Sequence, residues 1–148
     1  MCLIVDANAA HTFLAAESKV RTWLFGPLGN PRLVVGGLLT VELQKLEVVR
    51  KILVQLDRAG RLRKMDPRAV DAESKALANR KLCRSNDLHV LALAIISGAR
   101  TIATYDEALI QDCKNPEIVS NPRGRIYRHP AIHHRLLCHV SSCGVKAK

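Results

Sequence analysis

Leu3, Ile4 and Val5 form an unbroken apolar run that ends on a carboxylate, Asp6. Three branched apolar residues in succession read as a short strand buried on both faces, the kind found at the centre of a parallel sheet. A parallel sheet demands crossover connections, so this stretch constrains the fold class more than any other. A second run, Thr101 to Thr104, leads in the same way to Asp106. In open α/β sheets, ligands bind at the carboxyl ends of the strands, so two strands that deliver acids to one edge point to a shared site.

The stretches between these runs have helical character. Ala9 to Phe25 carries Phe13, Leu14, Val20, Trp23 and Leu24 near helical spacing, a broken helix that stops at Gly26 and Pro27. Leu33 to Val35 reads as the second strand, with Gly36 and Gly37 at its end, and a long helix is expected from Leu38 to Arg58. Leu62 to Met65 is the third strand; Asp66 then caps a helix opened by Pro67 and running to about Lys81. Ser85, Asn86 and Asp87 start a helix that is apolar nearly all round, hence central and buried, and Gly98 stops it. A helix from Asp106 to Cys113 follows, and Ile118 with Val119 suggests a fifth strand. Strands alternating with helices predict an α/β fold with right-handed crossovers, residues 1–120 forming the domain and 121–148 a basic, His-rich extension.

The chain has 148 residues and a net charge of +10, which favours a polyanionic partner such as nucleic acid, or an anionic membrane surface. Six basic residues and no acid fall between Asn121 and Lys148, so the excess is concentrated in the tail. A basic arm of this kind adds salt-sensitive affinity for nucleic acid. Aromatic residues are scarce, which argues against base-stacking platforms. Five cysteines are an odd number without framework spacing, and Met1 leads straight into a strand with no signal segment; both point to a reducing cytoplasm. No apolar run approaches the roughly 18 residues of a membrane span. The tail residues His129, His133, His134, Cys138, His139 and Cys143 could bind zinc by composition, but they show no recognised ligand spacing.

Helices antiparallel to the strands bring their N-termini to the edge where the strands end. Four acids gather there: Asp6 and Asp106 after strands, Asp87 at the start of the buried helix, and Glu42 in the first turns of the helix after the second strand. Two carboxylates about 4 Å apart repel by about 1 kcal/mol in water and several-fold more inside a protein. A hard divalent cation relieves this, and an oxygen-only donor set favours Mg²⁺ or Mn²⁺ over Zn²⁺. Metal-activated water attacking a phosphodiester is the chemistry such a set supports. Capping alone would account for Asp87, since helix N-termini favour acids, whereas an acid at the mouth of a central strand has little structural purpose. Asn8 reads as a turn residue or as a group that orders Asp6, and Thr104 as a strand residue or its hydrogen-bonding partner. Glu107 and Asp112 read as solvated helix positions and His89 as a satisfied core residue. Arg80, Lys81 and Arg84, just before Asp87, are candidates for holding substrate phosphates or a solvated helix end.

The ordered set resembles the PIN domain family. Its marks are Asp6 with Asn8 after the first strand, Glu42 in Thr40-Val41-Glu42-Leu43, Asp87 opening an Ala/Leu/Ile-rich helix, and Asp106 after Thr104-Tyr105. The resemblance implies a three-layer α/β/α sandwich with a mostly parallel sheet of about five strands, and a Mg²⁺- or Mn²⁺-dependent nuclease. Endoribonuclease activity is the favoured form, with DNA as the other polymer. It implies Asp6, Asp87 and Asp106 as metal ligands and Glu42 as ligand or water-orienting base; Asn8 and Thr104, by their position beside Asp6 and Asp106, are the supporting residues. It also makes an antitoxin protein and a second copy of the chain candidate partners, since many small members are VapC-type toxins. The alternative keeps the fold as a non-catalytic nucleic-acid-binding or scaffold domain. An aspartyl-phosphate phosphatase would want a second acid where Asn8 stands and a catalytic lysine before the later acidic pair.

Overall fold

The computed structural model describes residues 2–120, 122–129 and 135–138. Five strands form one sheet: β1 (Cys2–Val5), β2 (Arg32–Gly36), β3 (Leu62–Met65), β4 (Thr101–Ala103) and β5 (Arg125–Tyr127), in the order β3-β2-β1-β4-β5. Every pairing is parallel. Leu3 lies opposite both Leu33 and Thr101, and all four residues of β1 are buried, as an apolar run flanked by two strands requires. The sheet is covered by helices, consistent with a three-layer α/β/α sandwich.

From β1 the chain builds β2 and β3 on one side, then crosses back to build β4 and β5 on the other. The connections diverge between β1 and β4, the place in an open α/β sheet where a ligand crevice is expected beyond the carboxyl ends of the strands. Asp6 and Asp106 are the acids that follow these two strands.

Local chemistry explains most element ends. After β1 come α1 (Ala7–Phe13) and α2 (Lys19–Phe25), the break between them closed by Ser18, whose Oγ accepts from Val20 N. Asp66 accepts from Arg68 N at the start of α5 (Pro67–Arg80), with Pro67 in the first turn. Gly98 ends α6 (Leu88–Ser97) in the left-handed conformation. Helix α6 buries Val90, Leu91, Ala92, Leu93 and Ala94 completely, which confirms its central place.

Two expectations are corrected. The helix expected from Leu38 to Arg58 is two, α3 (Gly37–Gln44) and α4 (Glu47–Arg58), separated at Lys45 and Leu46. Leu39 and Leu43 before the break, and Val49, Ile52, Leu53 and Leu56 after it, are all buried, so the apolar period runs through the interruption. The fifth strand is Arg125–Tyr127, not Ile118–Val119. Ile118 and Val119 are buried in a turn whose amides both reach the Asn115 carbonyl. The strand therefore lies within the segment expected to be an extension. Tyr127 is fully buried, edge-on to Phe13 at 5.3 Å between ring centroids.

Helix α7 (Glu107–Lys114) precedes β5, and a short α8 (Arg135–Cys138) follows it. His133, His134, His139 and Cys143 lie outside the described residues. Cys2 is disulfide-bonded, while Cys83 and Cys113 are free thiols.

Gly124 tests whether the start of β5 belongs to the packed fold. Its amide donates to the Cys113 carbonyl, and an added Cβ would collide with that same oxygen. Gly124→Ala is expected to lower stability by about 1–3 kcal/mol, read from urea unfolding by circular dichroism. An unchanged midpoint would return this segment to the status of a loose arm.

Candidate active site

Asp6 continues β1 by one residue, its amide donating to the Ala103 carbonyl at 2.9 Å. The residue is only 3 % exposed. Oδ1 accepts from Ala7 N at 2.8 Å, and Oδ2 accepts from Thr104 Oγ1 at 2.9 Å. Burial pushes the carboxyl above its ordinary value, the bonds from Thr104 and Ala7 pull it back, and the neighbouring charges of Asp87 and Glu42 push it up again. The Asp6 carboxyl thus senses Asp87 and Glu42 across the edge of the sheet.

Thr104 is more than a strand residue. Fully buried, it donates to Asp6 and accepts from the Asp106 amide at 3.2 Å, tying the two acids to one hydroxyl. Asn8 serves the turn: its Oδ1 accepts from Tyr105 N at 3.2 Å and lies 3.5 Å from Thr104 Oγ1. Asp106 caps α7, Oδ1 accepting from Ala108 N and Leu109 N. Asp87 differs. It stands at the cap position of α6, yet its side chain makes no capping bond. Its carboxylate is therefore not committed to closing the helix, which removes the bland explanation for an acid at that position.

Glu42 approaches His89, Nε2 to Oε1 at 3.3 Å. The distance suits an ion pair, but the ring nitrogen is out of hydrogen-bond alignment and has no bonded partner among the described residues. With its side chain 9 % exposed, His89 is buried as expected but not satisfied. It rests against Glu42 from the first turn of α6.

Of the basic residues before Asp87, Arg80 and Arg84 have other partners. Helix α5 begins at the carboxyl edge and ends at the opposite one, where the Arg80 guanidinium donates to the Glu117 carbonyl at 2.7 Å. Lys81 is the left-handed residue that ends that helix. Arg84 donates to Gln111 Oε1 on α7. The fold does not bring Arg80 or Lys81 to the four acids, because the chain must climb back across the sheet before it reaches Asp87.

Asp112 is a further correction. It is 2 % exposed and accepts from the amides of Arg84 and Ser85. The signal was in the helical period: Asp112 shares a face with the buried Leu109 and Cys113. Glu107 is exposed as expected and pairs with Arg128.

Among the described residues, no three His, Cys, Asp or Glu side chains stand close enough to form a ready metal cage. The donors that do gather are carboxylate oxygens, which suit a hard cation; Mg²⁺ is commonly held by one or two carboxylates with waters and substrate phosphates rather than by an all-protein cage. Comparison of the chain with family models, curated proteins and solved structures returns no match.

The raised Asp6 carboxyl has a sign that can be measured. Between its ordinary value of 3.8 and its higher folded value, the native state binds more protons than the unfolded chain, so stability falls as pH rises through that window. Asp6→Asn removes the contribution. In EDTA, urea midpoints from pH 4 to 7 should show the wild type losing ground to Asp6→Asn as pH rises; parallel profiles would contradict a desolvated carboxylate.

Proposed function

We propose that the chain is a Mg²⁺- or Mn²⁺-dependent phosphodiesterase of PIN-domain type, acting as an endoribonuclease in preference to a deoxyribonuclease. The observation that carries this reading is the buried Asp6 beside Asp87 and Glu42 at the carboxyl edge of the sheet, with Asp87 not committed to capping. A buried carboxylate pushed up by two neighbouring acids favours an arriving cation.

Asp6, Asp87 and Asp106 would hold the cation, and Glu42 would join them or orient water, braced by His89. A divalent cation supplies Lewis-acid polarisation of a phosphoryl oxygen and offsets the carboxylate charge. Thr104 keeps Asp6 and Asp106 in register, and Asn8 fixes the Tyr105 turn between them. The net charge of +10 supports a polyanionic substrate. An antitoxin protein and a second copy of the chain stay as candidate partners. Among the described residues, no helix is long and apolar enough to cross a membrane.

One observation favours a non-catalytic nucleic-acid-binding or scaffold domain instead: no cluster of three metal-ligating side chains is preformed among the described residues. Cleavage of end-labelled single-stranded RNA and DNA, with Mg²⁺, with Mn²⁺ and with EDTA, separates the readings. Metal-dependent cleavage is expected, reduced at least about 100-fold in Asp87→Asn, the scale on which one lost electrostatic contact to the reacting centre is felt, with circular dichroism unchanged. Salt-sensitive binding without cleavage would favour the scaffold, and cleavage that survives EDTA would sink the metal-dependent reading.

A further inference from the structure

Helix α7 carries a buried acid that the carboxylate edge does not use. Both oxygens of Asp112 accept from Arg84 N at 3.0 Å, and Oδ2 also accepts from Ser85 N at 2.8 Å. Arg84 and Ser85 belong to the irregular stretch that climbs from α5 to α6. Ser85 is buried as well, and its Oγ accepts from the Asp87 amide at 2.9 Å. Hydrogen bonds to an ionised acceptor are stronger than neutral ones, and a buried acceptor has no water to fall back on. A continuous path therefore runs from Asp112 through Ser85 to Asp87.

The same helix begins at Asp106, whose carboxylate caps it. One helix thus presents Asp106 at its first turn and, from within its second, anchors the segment that delivers Asp87. We propose that Asp112 is a positioning residue for Asp87: acting through Ser85, it sets the separation between Asp87 and Asp106 across the edge where a divalent cation and a phosphodiester would sit. The inference rests on the functional reading above and names the group that holds its least anchored ligand.

Asp112→Asn tests it, because an amide keeps the shape but turns one acceptor into a donor facing backbone N–H groups. The full chain is titrated with Mn²⁺, followed by electron paramagnetic resonance, and amide exchange is read at Ser85 and Asp87. Asp112→Asn should weaken Mn²⁺ binding about 10-fold, within the range found for groups that orient a metal ligand, and speed exchange at both amides. Ser85→Ala should act in the same direction, and it carries the test if Asp112→Asn does not fold. In an Asp87→Asn background, Asp112→Asn should have no further effect on Mn²⁺, a coupling that a merely stabilising residue would not show. Glu107→Gln, on the exposed face of the same helix, controls for lost charge and should leave affinity unchanged.

Equal losses with and without Asp87, or unchanged exchange at Asp87, would overturn the proposal. A wild-type chain that takes up no Mn²⁺ would defeat the functional reading, and with it the positioning of a ligand; the exchange data would then judge the mechanical link alone.

Discussion

Asp6 is an ionisable group held at the end of the central strand with almost no access to water, and the Thr104 hydroxyl offsets part of that cost. A buried carboxylate without compensation loses several kcal/mol of solvation. Two donors, Thr104 Oγ1 and Ala7 N, recover some of it. Among the described residues, no lysine or arginine pairs with Asp6, and the charges that act on it, Asp87 and Glu42, are acids that worsen the balance. The hydroxyl also receives the Asp106 amide, so one side chain joins β1, β4 and the start of α7. A strained charge balance kept in place by a well-made scaffold is where chemistry is to be sought.

The helices divide the work around that point. α7 uses Asp106 to close its own first turn, while α6 leaves Asp87 out of its cap and has the approach to it fixed from outside. α3 contributes Glu42, against which the buried His89 of α6 rests. The acids are linked through shared elements: Thr104 joins Asp6 to Asp106, α7 carries Asp106 and holds the approach to Asp87 through Asp112, and His89 of α6 rests against Glu42.

How much of this was legible in the sequence follows from how local each cause is. Asp66 with Pro67, and Gly98, announce helix ends through chemistry within one turn, and both were readable. The gathering of Asp6 and Asp106 was readable too, because parallel strands send their carboxyl ends to one edge whatever the details of packing. The break at Lys45 and Leu46 was not: no glycine or proline marks it, and the apolar spacing continues across it. The strand Arg125–Tyr127 was hidden because Ile118 and Val119 offered the more strand-like pair, yet a buried turn uses apolar residues just as readily. Asp112 was misread because an acid on a helix is solvated by default; only the amides that converge on it from a distant segment justify its burial. The path of the chain after α5, which strands Arg80 at the far edge, is likewise a three-dimensional fact without a local sign.

The bond between Thr104 and Asp6 closes a loop of 98 residues. Closing so long a loop has an entropic cost that local contacts cannot offset, and sheets built from distant parallel pairings form slowly for that reason. During synthesis, the central strand emerges first and waits unpaired on one side until β4 has left the ribosome. Throughout that interval Asp6 lacks its hydroxyl donor, and Asp106 follows only after β4, so the nascent chain carries the first of the candidate residues long before it carries the last.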